Sequence, residues 1–289
     1  MRVRFLLWNV RRGRGARLLP CLTRLADSGI DVFLFAEAPA DLAPVLSALN
    51  ATTPNRYAIV PSQSRRVRFV TRLVGALDGA TWRDRFFDGL FDRLTAVELQ
   101  PVGTSGIILI GTHLDSPATG LSADGRAEWA RDVANDVRTI EGDVGHDRTV
   151  LVGDMNMNPY DGGLVQTTAL HAVMTRNLTG VVVRHQARTG YPVFYNPMWS
   201  CLGDRPAQRI QPNGRRRPPG THYFDNTNDR ANSFWQMYDQ VLLRPALMEQ
   251  LTHLEILSGD GTEDFVTAEG RPRSDLISDH LPVSFELNL

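Results

Sequence analysis

TVLVGDMN, residues 149–156, passes from a short apolar run to a cluster of polar groups with no spacer. Thr149 to Val152 is rich in β-branched side chains and reads as a buried strand. It ends in Gly153-Asp154-Met155-Asn156. Upstream stands the clearest helix of the chain, Ser122 to Ile140. Ala127, Ala130, Val133, Ala134 and Val137 form one face of it, and Ser122 is placed to cap its N-terminus. Before that helix, Gly106 to Gly111 reads as a strand that runs into His113.

Working outward, Arg2 to Trp8 is a strand ended by Asn9. Ala16 to Asp27 is a helix with Leu18, Leu19, Leu22 and Leu25 at helical spacing and Gly29 as its stop. Ile30 to Phe35 is a buried strand followed by Glu37, and Asp41 caps a short helix through Leu49. Tyr57 to Val60, Val67 to Val74 and Leu94 to Leu99 read as strands joined by loops, which suggests antiparallel pairing. Asp84 to Phe91 is ambiguous. Residues 184–232 are loop-rich and hold Pro192, Pro197, Pro206, Pro212, Pro218 and Pro219. Trp235 to Leu243, Leu254 to Leu257 and Pro282 to Leu287 return as strands. No fixed-period repeat or linker divides the chain, so 1–289 is expected to be one mixed α/β domain with a loop-rich insertion around 184–232.

Composition sets the outer bounds. Among 289 residues, 42% are hydrophobic and 22% charged, as in a soluble enzyme. No stretch is long and apolar enough for a membrane span, and Met1 to Val10 lacks a secretory pattern, so a cytoplasmic address is expected. Cys21 lies on an apolar helical stripe and Cys201 in a loop, outside any CxxC or Cys/His cluster, so nothing supports a thiolate metal site. The net charge of −1 gives no global attraction for nucleic acid. All 31 basic residues are arginine, which genomic base composition explains. They cluster at Arg11, Arg12, Arg14 and Arg17, at Arg65, Arg66, Arg68 and Arg72, and at Arg215, Arg216 and Arg217, so neutrality can hide a local basic groove.

One pattern recurs: an apolar strand stops at a chemically competent residue. It happens at Asn9, Glu37, His113, and Asp154 with Asn156. Strand ends fix the backbone while the tip reaches solvent, which is where sites are built. Asp239 differs, being a carboxylate inside the otherwise apolar run Met237 to Leu243, where a charge needs a partner. Each residue alone has a plain structural explanation: a turn for Asn9, a helix cap or surface charge for Glu37, a hydrogen-bonded histidine for His113, an Asx turn for Asp154 with Asn156. Together they are harder to dismiss.

In order, Trp8-Asn9, Phe35-Ala36-Glu37, Gly111-Thr112-His113-Leu114, Gly153-Asp154-Met155-Asn156, Tyr238-Asp239-Gln240-Val241-Leu242 and Ser278-Asp279-His280 resemble the motifs of the DNase I-like endonuclease/exonuclease/phosphatase superfamily. The resemblance implies a four-layer α/β/β/α sandwich of two mostly antiparallel sheets flanked by helices. It also implies roles. Glu37 is similar to that family's metal-binding glutamate, with Asn9 and Asp279 beside the ion, and hard oxygen ligands suit Mg²⁺ or Mn²⁺. Asp154 corresponds to the carboxylate that readies the water, and Asn156 to its phosphate-binding or supporting partner. His280, oriented by Asp239, corresponds to the histidine at the scissile phosphate. His113 resembles a second active-site histidine whose usual carboxylate partner is not evident.

These motifs imply metal-assisted, in-line water attack on a phosphodiester, but not the substrate. Arg11, Arg12 and Arg14 follow Asn9 directly and are candidates to grip flanking phosphates. With the Arg65 to Arg72 cluster and the aromatics Tyr191, Phe194, Tyr195 and Trp199, they favour DNA or RNA as substrate. Solvated surface and core aromatics explain the same features almost as well. The alternatives are an inositol phosphatase or sphingomyelinase-like phosphodiesterase, and a catalytically silent binding module on the same fold. No amphipathic basic helix points to lipid, and no obligate protein partner is evident.

Overall fold

The computed structural model describes residues 1–90, 92–178, 183–185, 189–203, 217–225 and 234–289. Two sheets pack face to face, each with helices on its outer side. The first has the order Leu251–Ile256, Val283–Asn288, Arg2–Asn9, Val32–Ala36, Val67–Arg72, Tyr57–Ile59. The second has the order Thr81–Asp84, Leu94–Gln100, Ile107–His113, Thr149–Asp154, Asp239–Leu243, Phe194–Tyr195, Ala172–Val173. Pairing is mostly antiparallel, but each sheet holds one central parallel pair: Arg2–Asn9 with Val32–Ala36, and Ile107–His113 with Thr149–Asp154. A parallel pair needs a crossover. The helices Leu18–Asp27 and Ala123–Val144 supply the two crossovers.

This placement explains why the central strands are apolar without interruption. Ile107, Leu109, Val150 and Val152 enter the core between the sheets. Ile108, Ile110 and Leu151 face the opposite way, onto Ala130, Val133 and Val137 of the long helix. Burying each such Val or Leu contributes about 1.5–3 kcal/mol. Ser122 caps that helix by accepting from the Gly125 amide at 3.1 Å, and Gly145 ends it in the left-handed region at φ 83°. The helix is tied to the second sheet by a buried ion pair: Arg244 Nε and a terminal nitrogen donate to the two oxygens of Glu141 at 2.8 and 3.1 Å.

The sheets also meet closely at the site end. A Cβ on Gly111 would lie 2.7 Å from Val67 Cβ, across the sandwich. On Gly153 it would lie 1.8 Å from the backbone oxygen of Thr112 on the neighbouring strand. Backbone cannot yield there as a side chain would. Gly153→Ala is therefore expected to destabilise the protein by about 3 kcal/mol or more. A thermal unfolding curve that matches wild type would refute this.

Several boundaries move from their sequence-based positions. Strands extend further, so Asn9, His113 and Asp154 are the last residues of their strands. The ambiguous 84–91 stretch begins as the end of the edge strand Thr81–Asp84. Asp239 is the first residue of its strand rather than an interior one, because Trp235–Gln236 pairs separately with His222–Tyr223. Much of the 184–232 insertion, with Arg215 and Arg216, lies outside the described residues. Among the described residues no helix is long and apolar enough to cross a membrane.

Candidate active site

The two central parallel pairs end at one point. Within them, Asn9 is in register with Ala36 and His113 with Asp154, while Asp239 on the next strand is also opposite Asp154. Asn9 Nδ2 donates across the sandwich to Asp154 Oδ2 at 3.0 Å, and at the end of its own sheet to Glu37 Oε1 at 3.2 Å. His113 Nε2 lies 3.7 Å from Glu37 Oε1 and 3.9 Å from Asp154 Oδ2. His280 Nε2 reaches Asp154 Oδ2 at 3.8 Å, and its Nδ1 is 2.7 Å from Asp239 Oδ2. Asn156 donates its amide nitrogen to Leu114 O and its backbone N–H to Asp154 Oδ1, so an Asx turn and a site residue are the same feature here. The carboxylates that face His113 are Glu37 and Asp154 themselves.

The backbone is under constraint at this point. Seven non-glycine residues have positive φ among those described, and four belong to the site loops: Arg11, Arg12, Glu37 and Asn156. Such conformations persist where surrounding bonds over-determine them. Arg12 N–H donates to Glu37 O at 2.6 Å, and Ser278 Oγ donates to Asn9 O at 2.7 Å. Behind Asp154, a buried amide chain fixes the loop that follows it. Gln240 donates to Met157 O, Asn196 to Gln240 Oε1, and Asn158 to Gln236 Oε1.

Charge follows from this packing. Burial opposes an ionised Asp154, but His280, His113 and the bonds from Asn9 and Asn156 outweigh it and lower its pKa. Burial likewise opposes a charged His280, but Asp239 and Asp154 prevail and raise it to about 10. Burial keeps the Asp239 carboxyl above the usual range, with the His280 charge opposing. The pair is thus held together by a proton that resides on His280 at neutral pH. Because the folded value exceeds the ordinary 6.5, the stabilisation is fully present below 6.5 and is lost as pH rises through about 10. Asp239→Asn is expected to flatten that alkaline loss of stability. Thermal midpoints of the two proteins from pH 6 to about 10.5 test this, and parallel curves would refute it.

Not every expected residue joins the group. Asp279 turns its carboxylate toward Arg11, at 3.6 Å. Arg11 is itself held by Ser274 O at 2.8 Å. Arg12 lines a cleft with Glu37, Arg65, Arg66, Asp92 and His113, and Arg14 is exposed. Of the four aromatics expected to stack on bases, Phe194 and Tyr195 are core, at 1% and 9% exposed, while Tyr191 and Trp199 are partly exposed. Arg244 packs over Phe194, and Arg176 over Tyr195. Two residues the sequence did not mark complete the site. Thr221 Oγ1 accepts from the Asp239 amide at 3.0 Å, and the His222 ring lies 4.4 Å from that of His280.

The donor set fits a hard divalent cation. Glu37 offers carboxylate oxygen at the cleft, joined to Asp154 through Asn9. Asp154, Asp239 and His280 also place ligand atoms within 4.8 Å of one another. There, however, a cation would compete with the proton that His280 Nδ1 gives to Asp239. Glu37 is the better-placed ligand on chemical grounds. Asn9 presents a nitrogen to both carboxylates and acts as their bridge.

No protein-family model matches the sequence, and a search of curated proteins returns no relative. Solved structures do match over the full chain. Truncated TDP2 of Caenorhabditis elegans is 15% identical with a TM-score of 0.54, over 100% of this chain and 98% of that one. The endonuclease domain of TRAS1, a telomere-specific non-LTR retrotransposon, is 11% identical with a TM-score of 0.56, over 100% and 99%. An endonuclease/exonuclease/phosphatase family protein from Bacteroides thetaiotaomicron is 14% identical with a TM-score of 0.57, over 99% and 98%. This chain is similar to them in fold.

Proposed function

We propose that this chain, which has the DNase I-like fold of the endonuclease/exonuclease/phosphatase superfamily, is a Mg²⁺- or Mn²⁺-dependent phosphoester hydrolase acting on nucleic acid. One observation carries the reading. Glu37, Asn9, His113, Asp154 and His280, from both sheets, meet within hydrogen-bond or ion-pair distance at one cleft.

Glu37 would hold the cation, with Asp279 as a further oxygen donor nearby. The bound cation supplies charge neutralisation for the phosphate. Asp154, kept ionised by its neighbours, accepts a proton from the attacking water. His280, kept charged by Asp239, donates a hydrogen bond from Nε2 to a phosphate oxygen and offsets charge on the pentacoordinate transition state. His113, 18% exposed between Glu37 and Asp154, faces the same substrate position. Asn156 holds Asp154 through its backbone N–H.

Nucleic acid is favoured by arginines on both sides of this point: Arg12, Arg65 and Arg66 along one cleft, and Arg11 and Arg271 along another. One fold neighbour is an endonuclease domain. Phe224 and Phe234, 42% and 40% exposed beside the second cleft, keep a lipid phosphodiester in the comparison.

The deciding experiment is metal-dependent turnover on single- and double-stranded DNA, RNA, inositol phosphates and sphingomyelin. Nucleic-acid cleavage with salt-sensitive affinity supports the proposal. Preferred release of phosphate from a monoester refutes the nuclease reading, and inactivity on every substrate leaves a binding module. Glu37→Gln is expected to raise the Mg²⁺ concentration needed for half-maximal activity by about 10–100-fold. An unchanged metal titration would remove Glu37 from the cation site.

A further inference from the structure

The segment Gly220-Thr221-His222 is stitched between the two stretches that carry Asp239 and His280. Thr221 N–H donates to Gln236 O, Leu281 N–H donates to Thr221 O, and Asp239 N–H donates to Thr221 Oγ1. Gly220 has no room for a side chain, because a Cβ would lie 2.6 Å from Gln236 O. His222 is thereby pressed between two rings. Its centroid is 4.4 Å from that of His280, tilted by 33°, and 5.7 Å from that of Tyr238, nearly parallel at 15°.

The ring's chemical state follows from its partners. His222 Nδ1 lies 3.2 Å from the carbonyl oxygen of Asp279, which can only accept. Nδ1 therefore carries the proton. The face of this ring lies against the face of His280, whose two nitrogens are turned to Asp239 and Asp154. The contact therefore bears on the plane of the His280 ring and leaves both of its nitrogens to the carboxylates.

We infer that His222 is a positioning residue for the reaction: its ring, backed by Tyr238, holds the His280 ring so that Nδ1 stays on Asp239 while Nε2 faces Asp154 and the scissile phosphate. This rests on the hydrolase reading of the site. It adds a component that acts through His280 and touches no substrate.

Three replacements separate the ring from the rest of the side chain. His222→Phe keeps a π face and loses the bond to Asp279. His222→Asn keeps a donor near the Nδ1 position and loses the ring. His222→Leu fills the space with neither. With Mg²⁺ and bis-p-nitrophenyl phosphate, Phe is expected within about twofold of wild-type kcat, and Asn and Leu about tenfold lower, with KM near wild type. Thermal midpoints identify any variant that fails to fold; Phe against Leu carries the test if Asn is lost. Activity retained in Leu, or lost equally in Phe, overturns the inference, as does a change confined to KM. A second readout needs no turnover. In ¹⁵N-histidine-labelled protein, the Nδ1 proton of His280, identified by its absence in His280→Gln, should persist in Phe and shift or exchange away in Leu. If wild type hydrolyses nothing, the hydrolase reading fails and this resonance alone decides the positioning role; the same signal in all variants overturns it.

Discussion

Asp154→Asn is expected to lower kcat on a phosphodiester by about a thousandfold or more, with KM little changed. The substitution keeps size and shape, so Asn156 and Leu114 retain their places. What disappears is the charge toward which Asn9, His113 and His280 all converge. Two functions fail together. The attacking water loses its proton acceptor, and His280 loses one of the two carboxylates that keep it charged. A loss of both exceeds the effect of deleting a single transition-state donor, about a hundred- to a thousandfold. Steady-state kinetics at saturating Mg²⁺, beside a thermal melt, decide it. A folded Asp154→Asn protein with wild-type kcat would remove Asp154 from the chemistry and with it the central claim about the site.

The largest effect on stability is expected far from the cleft. Arg244→Ala should destabilise the protein by about 3–5 kcal/mol, because it leaves the Glu141 carboxylate buried without its partner. The Arg244 side chain is only 2% exposed. Besides Glu141 it serves the carbonyls of Pro192 and Val193 and lies 3.8 Å over the Phe194 ring. Its removal therefore strands three acceptors and an aromatic face at once. Replacing both charged partners, as in Glu141→Leu with Arg244→Met, should recover part of the loss, since an apolar pair has no charge to leave unpaired. Chemical denaturation of the two single variants and the double variant tests this. Additive losses, with no recovery in the double, would show that the ion pair is not the source of the effect.

How much of this was legible in the sequence follows from where each residue gets its neighbours. Asn9, Glu37, His113 and Asp154 could be found because both faces of the central strands are covered. The apolar run must therefore be unbroken, and its abrupt end stands out. The two crossover helices could be read from their period for the same reason. His222 and Thr221 could not. Their strand is two residues long and is fixed by pairing with Trp235–Gln236, a tertiary event without local periodicity. Phe194 and Tyr195 misled in the opposite direction. They stand in a proline-rich stretch that looks solvent-facing, yet a short strand there pairs with Asp239–Leu243 and buries them. Asp279 was placed by its neighbour His280. Its carboxylate pairs with Arg11, an ion pair between distant segments that spacing does not reveal.

The candidate site has no single owner. Asn9 and Glu37 ride on one sheet and His113, Asp154 and Asp239 on the other, spanned by an Asn9–Asp154 bond of 3.0 Å. On the proposed reading, the two sheets act as a pair of jaws whose alignment sets the reactive geometry. Sliding one jaw past the other by an ångström would break no strand and unwind no helix, yet would open the gap that the bond now closes. On heating, turnover should fade while both sheets still give their full spectroscopic signal, making hydrolysis a finer gauge of the molecule's alignment than any measure of its secondary structure.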